Sequence, residues 1–395
     1  MNILFLTPQR PYPTFQGTTI RNFNLIAELA KRHTIHLLTF LEPDQPADPG
    51  LLADLCATIE TLPVPRRTTA TRLRQMLTTR RPDMSWRLWS AEFAARLQTF
   101  LAAHPVDVVH VEGIEMAPYL PIVRQVIPAA KIIYDDHNAE WLLQWRNFTT
   151  DVKNPRRWIA AAYSLVQTLR LRRYERWVCR AADGVVAVSD ADRAAIRALD
   201  SSLEIEVVPN GVALEKYDAP VTPIPFDMVF TGKMDYRPNI DAVLWFGQEV
   251  LPRILARRPE STFAIVGQRP HPRLDALRGN RAITITGFVD AVEPYIAGGA
   301  VYVAPFRVGG GTRLKLLQAM AMRKAIVATT VGAEGFGVTD GQEMRLVDDP
   351  AAMADTVLQL LDDPVARQKL GETARQFVAD RFTWEALVPA FERLY

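Results

Sequence analysis

Three consecutive glycines, Gly309, Gly310 and Gly311, stand between an apolar run ending at Ala304 and a helical pattern opening near Thr312. A strand that ends in glycines and passes into a helix is suited to holding an anion. Glycine permits close backbone approach and positive φ, and the free N–H groups of a helix start carry partial positive charge. Two cations, Arg313 and Lys315, fall in the first turn of that helix, where they oppose its dipole. The placement is unfavourable unless an anion lies there, so the predicted chemistry is phosphate binding. The alternative is a flexible loop with two solvated basic residues. The segment is not a P-loop, because GxxxxGK[ST] is absent. Nor does GxGxxG follow the first strand, which leaves no dinucleotide fingerprint.

A loop of this kind must be carried by α/β units, and the sequence supplies them. Short apolar runs alternate with helical patterns almost throughout, as parallel α/β folds require. Strands are predicted in the first half at 3–7, 34–40, 106–111, 131–135, 185–189 and 204–208. In the second half they are predicted at 228–231, 262–266, 282–286, 300–304 and 325–329. Their β-branched content suits strands covered by helices on both faces. The clearest helix spans 239–256, where Ile240, Val243, Leu244, Gly247, Val250, Leu251, Ile254 and Leu255 form a 3.6-period stripe. Pro220, Pro223 and Pro225 mark a semi-rigid linker after Asn210-Gly211. The expected fold is α/β, with two doubly wound Rossmann-like domains of similar size facing each other across a cleft. Ligands of open α/β sheets sit beyond the carboxyl ends of the strands, and that is where the chemistry is expected.

Composition excludes several other classes. The chain has 395 residues, enough for two or three domains, with 48% hydrophobic and 23% charged residues. Those values rule out disorder, collagen-like repeats and a disulfide scaffold. Cys56 and Cys179 have no CxxC or histidine neighbours, so neither a zinc site nor a disulfide framework is available, and a reducing cytoplasm fits. Net charge is +2, with +5 in residues 1–200 and −3 in 201–395, too modest an asymmetry for a nucleic-acid binder. No apolar run reaches the length of a membrane span, and the start, Met1-Asn2-Ile3-Leu4-Phe5-Leu6-Thr7, reads as a first strand rather than a signal peptide.

The segment from Gly309 through Thr312-Arg313-Leu314-Lys315-Leu316-Leu317-Gln318-Ala319-Met320 to Val331-Gly332-Ala333-Glu334-Gly335-Phe336 resembles the donor-binding motif of group-one, glycogen-synthase-like retaining glycosyltransferases with the GT-B fold. Other pieces agree in order and spacing. They are Leu6-Thr7-Pro8 with Gly17, Asp136-His137-Asn138, Ala187-Val188-Ser189-Asp190, Val208-Pro209-Asn210-Gly211-Val212, Phe230-Thr231-Gly232-Lys233, Arg237-Pro238-Asn239 and Gly287-Phe288-Val289-Asp290. The likeness covers nearly the whole chain and is closest to enzymes of bacterial exopolysaccharide or cell-surface glycan assembly. It implies an N-terminal acceptor-side domain over 1–210, a linker over 211–225 and a nucleotide-sugar-binding domain over 226–381. A final helix over 382–395 would return to the first domain. The implied activity is metal-independent transfer of a hexose-type sugar from a nucleoside diphosphate sugar, a co-substrate, to a glycan or lipid-linked acceptor, with no cofactor.

By that resemblance, the backbone at Gly311 and Thr312, with Lys233, Arg313 or Lys315, holds the diphosphate, and Arg237 lies one helical turn beyond Lys233. Fixed cations and amides then stabilise the charge that develops on the departing phosphate. The family usually carries two glutamates eight positions apart here, and this chain has Gly310 and Gln318 instead. Gln318 can still accept a ribose hydroxyl proton, though more weakly than a carboxylate. Glu334 is a candidate to compensate, and also an ordinary loop acid. Phe288 and Val289 flank the expected nucleotide pocket. His137 is implied to face the donor sugar, orienting a hydroxyl or receiving the acceptor proton. Gly17 either lets donor or acceptor approach the backbone or simply starts a helix. Glu112 and Glu115, after another strand, are acceptor-pocket candidates or solvated acids.

Two arginine-rich stretches remain. Residues 66–87 hold seven Arg and one Asp, and residues 153–180 hold eight basic residues and one Glu among Trp158, Tyr163, Tyr174 and Trp177. Basic residues mixed with aromatics suit a lipid-diphosphate acceptor or an anionic membrane surface, the latter putting the protein at the inner face of the plasma membrane. A solvated helix face is the competing reading. Asp190-Ala191-Asp192 spells a DxD, but its position after a strand and at a helix start favours capping over metal binding. The competing functions are a non-catalytic glycosyltransferase-like partner subunit, motivated by Gln318, and a sugar-nucleotide epimerase on the same fold.

Overall fold

The computed structural model describes all residues except 15, 16, 44, 153, 154 and 309–312, and omits the side chain of residue 156. It divides into two units, Met1–Pro209 with Leu387–Tyr395, and Asn210–Ala386.

The first unit is built on strands β1 (Asn2–Thr7), β2 (Thr34–Leu41), β3 (Thr58–Pro63), β4 (Val108–Glu112), β5 (Lys131–Asp136), β6 (Gly184–Ala187) and β7 (Ile205–Val207). They form a seven-stranded sheet in the order β3-β2-β1-β4-β5-β6-β7, with every pairing parallel. The sheet is covered on both faces, so its central strands are apolar throughout, and Ile3, Leu4, Phe5 and Leu6 are all fully buried. The helices that matter below are α1 (Gly17–Leu29), α2 (Thr69–Thr78), α3 (Glu140–Asp151), α4 (Trp158–Ala181) and α5 (Asp190–Arg197). The strand order reverses between β1 and β4, the switch point at which an open α/β sheet leaves a crevice.

The second unit has β8 (Phe226–Thr231), β9 (Phe263–Val266), β10 (Ile283–Ile285), β11 (Gly299–Ala304), β12 (Ala325–Ala328) and β13 (Arg345–Leu346), in the order β10-β9-β8-β11-β12-β13, again all parallel. Its switch point lies between β8 and β11. Helix α6 opens at Arg237–Trp245, widens into a π-turn over Phe246–Val250 and resumes as Leu251–Leu255. Pro252 gives the reason, since it has no N–H to donate and its ring crowds the carbonyl one turn back. Helix α7 (Leu314–Ala321) follows the glycine segment, and α8 (Trp384–Glu392) carries the chain from the second unit into the first.

All eleven predicted strands are present, with ends shifted by a residue or two. Two more appear. Thr58–Pro63 alternates only weakly, with Leu62 its one buried residue, and Arg345–Leu346 is two residues long, so neither carries a strong apolar signal. Ser189 caps α5 by accepting the Asp192 N–H at 3.1 Å, and Asp192 in turn accepts the Ala139 N–H. The helix cap is thus Ser189, one of the two candidates, while the exposed Asp190 pairs with Arg193 at 2.5 Å.

Candidate active site

In the second unit, β8 ends at Thr231 and the chain turns through Gly232 and Lys233 into the first turn of α6. Beside it β11 ends at Ala304, and Phe306 turns inward, fully buried. Helix α7 then starts at Leu314 with no side-chain cap and no acidic residue in its first turn. Its two leading cations fold back over the strand ends. Arg313 is 9% exposed and stacks on Phe306 at 4.0 Å, with Nη2 donating to the Val331 carbonyl at 3.3 Å and Nε without a partner. Lys315 Nζ donates to Asn239 Oδ1 at 2.6 Å and lies 4.9 Å from the Phe230 ring and 5.1 Å from the Phe306 ring. The Asn239 amide is held by the Lys233 carbonyl at 2.8 Å. Gly232 suits its φ of +155°, where a side chain is strained, and a Cβ there would come 2.5 Å from Lys315 Nζ and displace it.

Among the described residues, neither Arg313 nor Lys315 makes an ion pair. Burial, reinforced by the Arg313 charge, pushes the Lys315 pKa down to about 7. Burial also lowers that of Arg313, against the opposing pull of Tyr236 and Glu334. Aromatic faces attract cations but do not neutralise them. The arrangement is thus an uncompensated positive centre at the carboxyl ends of two parallel strands. Lys233 is exposed, 3.9 Å from Asp235, and Arg237 and Glu334 are exposed as well. Phe288 is exposed and Val289 half-buried, and Gln318 is half-buried with its side chain hydrogen-bonded to the Tyr217 hydroxyl. Gly310, Gly311 and Thr312 lie outside the described residues. Asn239 was not anticipated as a site residue, although its Pro-Asn dipeptide stood within the matching motif.

In the first unit, His137 follows β5 and Glu112 ends β4. Glu112 is fully buried, with Oε2 3.0 Å from His137 Nε2 and Oε1 3.3 Å from His110 Nδ1. Burial pushes the Glu112 carboxyl up, but the hydrogen bonds from His110 and His137 outweigh it and hold it at about 2. Burial likewise pulls the His137 pKa down, and Glu112 and Asp135 together overcome that pull and raise it. Asp135 spends both oxygens on Arg21, at 2.7 and 3.0 Å, in a pair that is at most 1% exposed. Arg21 also donates to the Pro209 carbonyl at 3.1 Å. Glu112, Asp135 and His137 bring ligand-type atoms within 4.8 Å of one another. Their carboxylate oxygens face Arg21 and two imidazoles, so the three groups form an ion-pair network.

A pocket of about 310 Å³ opens over these residues, lined by His137, Asn138, Gly113, Glu115, Glu140 and Arg87 among others. Glu115 is held by Arg87 at 2.9 Å. Glu140 is half-buried; burial and then Glu115 push its pKa up to about 7. Both oxygens of Glu175 accept N–H groups from the start of α3, those of Glu140 and Trp141, at 2.8 and 3.1 Å. Glu115 thus reaches the pocket, whereas Glu112 is buried beneath it and, among the described residues, hydrogen-bonds with His110 and His137. Gly17 opens α1 and is exposed. The sequence did not mark Arg21, Asp135, His110, Arg87 or Glu140 as site residues.

Residues 15–216 match the model described as Glycosyltransferase Family 4, and residues 225–363 match Glycosyl transferases group 1. The chain is 26% identical over 256 residues to a glycogen synthase of Mycobacterium tuberculosis, covering 60% of this chain and 59% of that relative's length. It is 31% identical over 224 residues to a phosphatidyl-myo-inositol mannosyltransferase of Mycolicibacterium smegmatis, covering 54% of this chain and 56% of the relative. The structure of Anabaena Alr3699/HepE in complex with UDP-glucose shares the fold, with a TM-score of 0.62 at 16% identity, over 100% of this chain and 99% of the other. The fold is therefore GT-B, and the chain belongs to the group 1 glycosyltransferases.

Proposed function

We propose that the protein is a retaining, metal-independent glycosyltransferase that moves a hexose-type sugar from a nucleoside diphosphate sugar to a glycan or lipid-linked acceptor. The observation that carries this reading is the pair of cations without an ion-pair partner among the described residues, the buried Arg313 and the half-buried Lys315, at the switch point of the second unit. Breaking an anomeric C–O bond leaves negative charge on the departing diphosphate. A positive centre that is already fixed and partly dehydrated meets that charge with little reorganisation. Lys233, the amides of Gly310, Gly311 and Thr312, and the exposed Arg237 complete the donor side, with Gln318 or Glu334 toward the ribose and Phe288 and Val289 beside the base. UDP-glucose in the similarly folded Anabaena protein supports a donor of this class. In the first unit, His137 presents its ring to the donor sugar or acceptor hydroxyl and Glu115 lines the acceptor pocket. Glu112 supports His137 from behind.

The acceptor side includes an unusual surface. Helix α2 has no buried residue, and its Leu73 and Leu77 are exposed. On α4, Ile159, Tyr163, Val166 and Leu169 form a helical stripe open to solvent, with Ile159 90% exposed. Arg72 and Arg170 line one hollow with Leu73 and Tyr163, and Arg172, Arg173 and Arg176 line another with Leu169. No described helix is long and apolar enough to cross a membrane. Apolar faces bordered by arginine are suited to lying on an anionic bilayer, which fits a lipid-linked acceptor and work at the cytoplasmic face of the membrane.

A thermal-shift panel of UDP-, GDP-, ADP- and dTDP-sugars, followed by transfer assays with EDTA present, tests the donor reading. One donor class should raise the Tm, and Lys233→Ala and Arg313→Ala should abolish that rise. Wild-type shifts in both variants would overturn the assignment, and loss of transfer in EDTA would overturn metal independence. Flotation with anionic vesicles should be salt-sensitive, and equal recovery with neutral vesicles at every salt level would remove the membrane contact.

A further inference from the structure

Behind His137 runs a hydrogen-bonded chain that ends on the last helix segment. His137 Nε2 meets Glu112 Oε2 at 3.0 Å, Glu112 Oε1 meets His110 Nδ1 at 3.3 Å, and His110 Nε2 meets the Tyr395 hydroxyl at 2.7 Å. Residues 110 and 112 lie on β4, 137 follows β5, and 395 lies just beyond α8, so three distant stretches of chain converge. His110 has little freedom, being fully buried, stacked on Phe5 at 4.6 Å and packed against Phe391 and Tyr395. The segment carrying Tyr395 is pinned by Arg32 and His33 on Glu392, and by Arg393 on Glu206.

We infer that Tyr395 and His110 are positioning residues for His137, acting through Glu112. The inference rests on the proposed placement of His137 at the reacting sugar. The direction of each hydrogen bond follows from the donor inventory. An ionised Glu112 only accepts, so His110 donates from Nδ1, which leaves Nε2 of the same ring to meet the Tyr395 O–H. Burial and the nearby Glu112, Glu392 and Asp135 push the tyrosine hydroxyl pKa up, so it stays a donor. Glu112 is left with one oxygen for His137, whose Nε2–H is thereby fixed. The other nitrogen, Nδ1, has no protein partner among the described residues and lies on the side of Gly113, which lines the pocket. One tautomer is selected, with a base facing the pocket when the ring is neutral and a donor facing it when charged. The charged groups that set His137 are Glu112, Asp135 and Arg21, with Glu140 on the pocket side.

Tyr395→Phe removes one oxygen and keeps the ring, and His110→Gln is a second cut in the same chain. Nitrogen-15 spectra of the histidine rings across pH, assigned with His137→Ala, read the chain without any sugar transfer. The expected result in Tyr395→Phe is a lower titration midpoint for His137 and a population of the other tautomer. Alongside it, kcat should fall roughly fivefold, the worth of one net hydrogen bond, with the donor KM unchanged. His110→Gln should shift the same signals. Unchanged His137 signals in both variants, or a lowered Tm with no change in ring signals or pH profile, would overturn the inference. Full activity in His137→Ala would instead overturn the placement of His137 at the sugar, while the ring signals still decide whether the chain exists.

Discussion

The two units handle buried charge in opposite ways. In the first, the charges that set His137 are paired, Arg21 with Asp135, Glu112 with two histidines and Glu115 with Arg87, while the neighbouring acids Asp136, Glu140 and Glu175 are pushed by burial toward the neutral form. In the second, Arg313 and Lys315 sit among phenylalanine rings and make no ion pair among the described residues. A satisfied network fixes geometry and gains nothing from a new charge. An unsatisfied one waits for a counter-ion and gives up stability until it arrives. The contrast separates an orienting site from an anion-binding site before any ligand is considered.

The largest expected effect breaks the orienting side. Arg21→Met leaves the Asp135 carboxylate buried and alone, and should destabilise the protein by about 3–5 kcal/mol. Arg21→Met combined with Asp135→Leu should recover much of that loss, since an apolar pair replaces an ionic one. Urea unfolding of the single and double variants checks this, and an equal loss in both would show that the pair is not a closed unit.

The same change of type on the other side should behave in reverse. Lys315→Met removes a cation that burial disfavours, so the Tm without ligand should hold or rise. Sugar transfer, by contrast, should fall by about 10²–10³-fold, the range for losing one fixed group that meets developing charge. A Tm that drops along with activity would mean that Lys315 is a structural residue, held by Asn239, and the contrast between the units would collapse.

How much of this was legible follows from the same difference. The glycine segment and its two cations stood out because like charge against a helix dipole is a local conflict, visible within seven residues. The alternation of strands and helices was equally local, which is why the strand list survived and only the weakly apolar 58–63 and 345–346 were missed. Arg21 gave no such signal. On α1 it reads as one more basic helix residue until its partner, 114 positions away, is known. His110 is likewise an alternating residue of an apolar strand, and its role depends on Tyr395, 285 positions on. Conflicts within one element can be read from sequence, whereas compensations between elements need the fold. Glu112 shows the consequence: its place after a strand suggested an acceptor contact, but two histidines cover it.

A pH dependence sharpens the contrast, gradual per pH unit where the substitutions act at once. The Lys315 pKa is about 7 when folded, against about 10.4 for an ordinary lysine. Below pH 7 the side chain is charged in both folded and unfolded chains, and the burial penalty is fully present. Between about 7 and about 10.4 the unfolded chain binds the extra proton, so stability should rise with pH across that window. A bound diphosphate favours the charged amine and reverses the shift. Binding must then take up a proton above pH 7, and nucleoside diphosphate affinity should weaken by at most about tenfold per pH unit there. Titration calorimetry in two buffers of different ionisation heat reads that proton directly. Lys315→Arg keeps the charge at every pH and should bind without uptake. Uptake that persists in Lys315→Arg would assign the proton to another group, and the second unit's unpaired amine would lose its claim to the anion.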